Sequence, residues 1–168
     1  MPMDNNSIDV PNERLKRLMA KLESNVLPIG RREFSKEEYN LSFSDGTIKT
    51  PLGKVKLSEN QFEKMNSNKR KGLLAAMRLT LSDPIIILHD IRYNEERQAN
   101  EDYRIYIKPI RKLWDLKIKY MISIVADIDG TAISVSNGIR EKNRIIKLIK
   151  TTKSILYEKQ CSIILQHP

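Results

Sequence analysis

The sequence predicts a single α+β domain in which helices come first and an antiparallel sheet fills the second half. Three observations predict this order. Apolar residues recur at helical spacing before Pro84, they form β-branched or alternating runs after it, and Asp129-Gly130 joins two of those runs as a hairpin turn. A chain of 168 residues, 40% apolar and 30% charged, is long enough to bury one core and too apolar to be disordered.

Helical patterns dominate the first half. Residues 1–10 are polar and are expected outside regular structure, whereas residues 11–26 predict a helix. The apolar face of that helix comprises Leu15, Leu18, Met19, Leu22 and Val26. The rest of the first half predicts a short helix and a connection over 28–50, a small hairpin over 47–57, and helices over 60–65 and 69–81. The last helix ends at Asp83, because a residue before proline is pushed out of helical geometry.

Strand patterns dominate the second half. A β-branched run predicts a strand that is covered on both faces, and a cleanly alternating run predicts a half-buried one. The predicted strands are residues 85–88, 103–110, 119–128 and 131–135, followed by a helix over 140–150 and a last strand over 154–157. Ser136-Asn137-Gly138 has the composition of a strand-to-helix turn.

Charge and composition limit the classes of partner. Lys and Arg outnumber Asp and Glu by 30 to 21, which gives a net charge of +9 and favours nucleic acid, an anionic membrane or an acidic protein. A host whose proteins are rich in lysine would produce the same excess. The single cysteine, Cys161, excludes an internal disulfide framework and a multi-cysteine zinc site. We expect no membrane partner, no metal and no cofactor, and a reducing cytoplasm as the compartment.

Two acidic or histidine motifs have catalytic readings that we do not favour. Asp127-x-Asp129-Gly-Thr131 resembles the nucleophile motif of haloacid-dehalogenase-type phosphatases, but only residues 132–168 follow it, and each βα unit that the fold requires takes about 30 residues. The two aspartates are therefore expected in a hairpin. His89-Asp90 is an acid/base candidate, although a lone histidine at a strand end is more often a solvated residue.

Basic residues form three groups. Arg140, Arg144, Lys147 and Lys150 recur along one side of the late helix, which is either a phosphate-binding stripe or an ordinary solvated face. Arg104, Tyr106 and Lys108 share one strand face and interleave an aromatic ring with cations, as an RNA-binding sheet does. The third group surrounds the segment 58–61 and comprises Lys54, Lys56, Lys64, Lys69, Arg70 and Lys71.

Several short motifs together carry a resemblance to a known family. They are Thr50-Pro-Leu-Gly-Lys-Val-Lys56 with Gln61 and Lys64, then Arg70 and Thr80-Leu-Ser-Asp-Pro84, then Ile107-Lys108 and Ser134-Val-Ser-Asn137, then Arg144-Ile-Ile-Lys-Leu-Ile-Lys150 with Ile155-Leu-Tyr157. This arrangement resembles the phage and mobile-element barnase–EndoU–colicin–RelE-like nuclease domains, found at the C-termini of phage head-morphogenesis and other large proteins. It assigns residues 47–168 to that domain and residues 1–46 to a helical N-terminal extension.

The resemblance implies a fold and an activity. The implied fold has N-terminal helices packed on a roughly four-stranded antiparallel sheet. The implied activity is metal-independent cleavage of RNA, in which the ribose 2′-hydroxyl attacks the adjacent phosphate, as in a toxin or effector. Such a reaction needs a base, an acid and cations for the charge that develops on the phosphate.

On this chain the resemblance assigns catalysis to Lys64, Arg70, Lys108 and Ser136, with Arg70 and Lys108 clamping phosphate and Lys64 as a base if its pKa is lowered. The expected RNA-binding residues are Tyr106, Asn137, Arg140, Arg144 and Lys147. The implied partners are RNA (tRNA, mRNA or rRNA) and an immunity protein or antitoxin, and the implied compartment is a bacterial cytoplasm or one to which a phage delivers the protein.

Position 138 departs from the family pattern. Members often have a histidine after the Ser-Asn pair, and this chain has Gly138. The chain is therefore either an inactive copy or one that uses Lys64, Tyr106 or His89 instead. Two hypotheses remain open: an RNA-cleaving enzyme, and an accessory protein that binds nucleic acid or a protein through the same basic surface.

Overall fold

The computed structural model describes residues 2–29, 46–57 and 73–160. Within these ranges the chain forms three helices and eight strands. In chain order they are α1 (Pro2–Glu23), β1 (Leu27–Ile29), β2 (Thr47–Thr50), β3 (Gly53–Lys56), α2 (Leu73–Ser82), β4 (Ile86–Asn94), β5 (Ala99–Lys112), β6 (Lys119–Ile128), β7 (Thr131–Arg140), α3 (Lys142–Thr151) and β8 (Ser154–Glu158).

The strands form one mixed sheet in the order β2-β3-β7-β6-β5-β4-β8, and β1 pairs with the end of β5. Two pairs are parallel, β3 with β7 and β1 with β5, and the others are antiparallel. The expected four-stranded antiparallel sheet is therefore wrong, although the α+β class is right. Hydrophobic alternation identifies a strand and its buried face, but it carries no information about which distant strand becomes its neighbour.

Helices cover both faces of the sheet, so the expected fold of N-terminal helices packed on a four-stranded antiparallel sheet is replaced by a larger sheet enclosed between helices. α2 and the β2–β3 hairpin lie on one face, which we call the α2 face, over a core that includes Ile87, Tyr106 and Val125. α1 and α3 lie on the other, the α1/α3 face, over a core that includes Ile105 and Ile122. Adjacent residues of a strand therefore enter different cores, as the period of two requires.

Several local predictions are confirmed. β6 spans the predicted residues, and the hairpin that follows has positive φ at both turn residues, 52° at Asp129 and 83° at Gly130. That geometry belongs to the type I′ turn, whose twist matches the paired strands. The β2–β3 hairpin is also confirmed, with Thr50 paired with Gly53. On α1, the predicted apolar residues Leu18, Met19 and Leu22 are buried.

Other boundaries differ from the predictions. α1 begins at Pro2, so residues 2–10 are helical and not irregular. β7 continues to Arg140 because β6 pairs with it along its whole length, down to Tyr120 with Arg140. Ser136-Asn137-Gly138 is consequently strand and not a turn. The predicted helix over 60–65 and the start of the helix at 69 lie outside the described residues.

No helix in the described ranges is long and apolar enough to cross a membrane.

Candidate functional site

A cavity of about 270 Å³ opens on the α1/α3 face and brings together cations from three elements of the fold. Arg92 comes from β4, Arg140 from the end of β7 and Arg144 from the first turns of α3. We call this cavity the arginine pocket. Its complete lining in the described part of the chain is Arg92, Tyr103, Ile122, Ile124, Val135, Ser136, Arg140, Arg144 and Leu148.

A β-bulge aims Ser136 into the arginine pocket. Ile124 pairs with Ser136, but the next residue, Val125, pairs with Ser134, so Val135 is the extra residue of β7. After the bulge, Ser136 is in phase with Ile124 on the α1/α3 face. Ser134, two residues earlier, lies opposite Val125 on the α2 face and is buried there. The bulge thus separates two serines that simple alternation would put on one face.

Arg140 fills the space above Gly138. A Cβ atom at Gly138 would lie 2.7 Å from Nη1 of Arg140, so any larger residue there would displace the guanidinium. The same Nη1 donates a hydrogen bond of 3.0 Å to the Ile139 carbonyl. Arg140 therefore occupies the space that a side chain at position 138 would need.

The charge of the pocket is only partly compensated. Arg92 pairs with Asp90 through Nε at 2.9 Å, and its guanidinium lies 5.8 Å from the centre of the Tyr103 ring. Among the described residues, no carboxylate lies within 4.0 Å of the side-chain nitrogens of Arg140 or Arg144. Glu141, which lies between them in sequence, pairs with Lys117 at 2.9 Å.

This arrangement suits an anion with a flat or apolar body. Guanidinium groups bind phosphate oxygens in a planar, often bidentate geometry, and the Ser136 hydroxyl adds a hydrogen-bond donor. Ile122, Ile124 and Leu148 provide an apolar floor. A nucleobase can stack on an aromatic ring or on a guanidinium plane, so Tyr103 with Arg92 suits a base next to a bound phosphate.

Lys108 lies away from this pocket, on the α2 face. It is 4% exposed, and its Nζ donates hydrogen bonds to the carboxylate of Asp83 at 3.0 Å and to the Asp83 backbone carbonyl. Burial lowers the pKa of Lys108, and the bonds to Asp83 oppose that effect. Lys159 reaches the same carboxylate at 2.9 Å. In this fold Lys108 secures the end of α2 to the sheet.

Tyr106 and Asn137 are buried on the α2 face as well. Tyr106 is fully buried, and its hydroxyl lies 2.9 Å from Oγ1 of Thr50. Burial raises the pKa of that hydroxyl. Asn137 is 5% exposed and donates to Oγ of Ser134 at 2.9 Å. Arg104, Tyr106 and Lys108 do share a strand face, but α2 and the β2–β3 hairpin cover that face, so it offers no stacking surface to a base.

The arginine pocket therefore contains three of the residues named from the sequence, namely Ser136, Arg140 and Arg144. Lys147 is exposed on α3 outside the pocket lining, and Lys64 and Arg70 lie outside the described residues. Lys108 and Ser136 lie on opposite faces of the sheet and cannot contact the same phosphate.

Two residues on which the pocket's binding chemistry depends, Arg92 and Tyr103, were not named as site residues from the sequence. Tyr103 had a signal, because strand alternation puts it on the face opposite Tyr106. Arg92 had none, because the predicted strand stopped at residue 88, whereas β4 continues to Asn94.

The two motifs for which we did not favour catalysis, at Asp127 and at His89, form ion pairs with neighbouring strands. Asp127 pairs with Arg104 at 2.9 Å in an antiparallel hairpin, which confirms its structural interpretation. His89 contacts Asp102 across the β4–β5 pair at 2.8 Å and not Asp90. No group of three or more potential metal ligands occurs among the residues that the structure describes.

Comparison with protein-family models, with curated protein sequences and with solved structures gave no significant match.

Proposed function

We propose that this chain binds RNA through the arginine pocket and does not cleave it. The observation that carries the proposal is the meeting of Arg140 and Arg144, neither paired with a described carboxylate, with Ser136 and the Arg92–Tyr103 pair in one cavity. Guanidinium groups without a counter-charge attract phosphate, and the stacked pair suits a base. The choice of RNA, rather than another polyanion, rests on the motif resemblance.

The same geometry supports binding more than cleavage. Attack by the 2′-hydroxyl needs a group that accepts a proton and another that donates one. The described lining of the pocket has no histidine, lysine or carboxylate, and guanidinium groups stay protonated. Lys108, expected at the phosphate, is buried on the other face of the sheet.

The test is a titration of labelled single-stranded RNA in EDTA, followed by fluorescence anisotropy at several salt concentrations. Arg140→Gln with Arg144→Gln removes two phosphate contacts. The slope of log K against log salt should then become shallower by about 1.4, since each contact with a single strand contributes roughly 0.7. Tyr103→Ala should cost about 1–3 kcal/mol of binding free energy if one base stacks on the ring.

A matched control removes the same charge elsewhere. Lys16 and Lys49 are exposed and form no ion pair with a described residue, so Lys16→Gln with Lys49→Gln should leave the slope nearly unchanged. An equal loss in both double variants would mean that net charge, and not the pocket, binds RNA. Equal competition by DNA of the same sequence would contradict the choice of RNA.

RNA length is read on a gel from the same samples. Intact RNA at excess protein is the result expected of a binding protein. Cleavage in EDTA that Ser136→Ala abolishes would instead make the pocket an RNase active site and would refute the non-catalytic proposal.

A further inference from the structure

The loop between β5 and β6 exposes three large apolar side chains within four residues. Leu113 is 69% exposed, Trp114 47% and Leu116 91%. We call residues 113–118 the tip loop. Monomeric proteins seldom expose large apolar side chains in a contiguous group unless the group binds something. Next to it, a cavity of about 300 Å³ lined by Val26, Pro28, Arg111, Leu116, Ile118 and Glu23 extends the apolar surface.

Basic residues flank the tip loop on both sides. Arg111 and Lys112 precede it and form no ion pair with any described residue, while Nζ of Lys112 lies 5.9 Å from the centre of the Trp114 ring. Lys117 and Lys119 close the loop, and both approach Glu141. The loop's own carboxylate, Asp115, accepts a hydrogen bond from the backbone of Lys117, so it serves the turn. The exposed apolar side chains of the tip loop therefore lie next to Arg111 and Lys112, two cations that no described carboxylate pairs with.

The tip loop is held in place by the backbone. The amide of Leu113 donates to the Ile29 carbonyl at 3.1 Å, which ties the loop to β1, and the amide of Asp115 donates to the Lys112 carbonyl at 2.9 Å. A loop already ordered loses little conformational entropy when it binds. The exposed apolar groups are thus presented on a fixed support.

We infer that the tip loop inserts into the surface of a lipid bilayer that carries anionic headgroups. Leu113, Trp114 and Leu116 enter the interface between headgroups and acyl chains, and Arg111 and Lys112 contact lipid phosphates. Tryptophan and leucine beside lysine and arginine is the composition of interfacial membrane contacts. Protein–protein interfaces are enriched in tryptophan and arginine but depleted of lysine, so Lys112 beside Trp114 is the residue that favours a lipid surface.

This inference is independent of RNA binding at the arginine pocket, and it is the opposite of the expectation that the chain has no membrane partner. That expectation came from the lack of an apolar stretch long enough to span a bilayer. Adsorption through a loop needs no span, because only a few side chains leave water.

Trp114 reports insertion directly, since it is the single tryptophan of the chain. Vesicles of phosphatidylcholine containing phosphatidylserine should shift its emission to shorter wavelength and carry the protein into the vesicle pellet. Vesicles of phosphatidylcholine alone should do neither to a comparable extent, and high salt should weaken the effect of the anionic vesicles.

Two double variants divide the interaction into its parts. Leu113→Ser with Leu116→Ser keeps the fluorescent reporter and should lower partitioning at least about tenfold, from the apolar area lost. Arg111→Gln with Lys112→Gln should lower it by about fivefold per charge removed. Ile91→Ser with Tyr93→Ser is the control, because these residues are 41% and 59% exposed on the distal β4–β5 hairpin; partitioning should not change.

Three outcomes would overturn the inference. The wild-type protein would show no emission shift and no sedimentation with anionic vesicles; or it would bind them equally well with the two leucines replaced; or the emission would shift with protein concentration in the absence of lipid. The last result, with a doubled mass in light scattering, would assign the tip loop to self-association.

Discussion

The ion pair between the buried Lys108 and the half-exposed Asp83 provides a test that separates a structural role for Lys108 from a role at a phosphate. The Lys108 side chain is 5% exposed, whereas that of Asp83 is 46% exposed and also pairs with Lys159. The two partners therefore differ in what their loss leaves behind. Without Asp83, a buried ammonium loses its counter-charge; without Lys108, a solvated carboxylate keeps another cation.

Removing the carboxylate should cost more than removing the ammonium. Asp83→Asn should lower the free energy of unfolding by about 3 kcal/mol, the lower end of the range for a buried charge left without its partner. Lys108→Met, which keeps the volume of the side chain, should lower it by about 1 kcal/mol, for the hydrogen bond lost at the Asp83 carbonyl. The double variant should be more stable than Asp83→Asn alone, since it contains no unpaired buried charge.

Urea unfolding followed by circular dichroism measures these differences, and calorimetry should show Asp83→Asn melting roughly 6–12 °C lower. The pKa values fix the pH dependence. Burial raises the pKa of Asp83, but the hydrogen bonds from Lys159 and Lys108 outweigh it and leave the pKa below 3.8. The unfolded chain then binds the proton more readily, so the stabilisation is complete above pH 3.8 and is lost as the pH falls through the folded value.

A larger loss in Lys108→Met than in Asp83→Asn would refute this reasoning, and so would a double variant less stable than either single one. RNA affinity should be the same in Lys108→Met and the wild type. A loss of affinity without a loss of stability would return Lys108 to a phosphate site.

Two further predictions concern the hairpin and the sheet edge. Gly130→Ala should lower the free energy of unfolding, measured with urea, by about 1–2 kcal/mol, because φ is 83° at this position. No atom lies within 4 Å of the added Cβ, so the whole cost is conformational. An unchanged free energy of unfolding would contradict the positive φ. Burial raises the pKa of Glu158, but the bonds from Arg17 and Lys21 outweigh it and leave the pKa below 4.5. Glu158→Gln should therefore lower the free energy of unfolding by about 1 kcal/mol at neutral pH and not at all well below pH 4.5. A cost that does not depend on pH would exclude the ion pairs as its cause.

Much of the candidate site that the sequence predicted comes from one short stretch. Ser136, Arg140 and Arg144 lie on β7 and on the helix that follows it, so local spacing was enough to group them. Arg92 and Tyr103 join them through the β4–β5 pairing. The sequence predicted β4 only as far as residue 88, so this part of the pairing was missed. Lys108 was misplaced because alternation gave its strand face correctly but not the helix that covers that face.

The sequence by itself determined what depends on neighbouring residues: the bounds of β6, the Asp129-Gly130 turn, and the apolar side of α1 with Leu18, Met19 and Leu22 buried. Tertiary structure alone decided the parallel pairs of β3 with β7 and β1 with β5, and the bulge at Val135. The physical reason is that periodicity reports which side of an element avoids water. The neighbour that covers that side, and the register at which it pairs, follow from contacts between residues far apart in the chain.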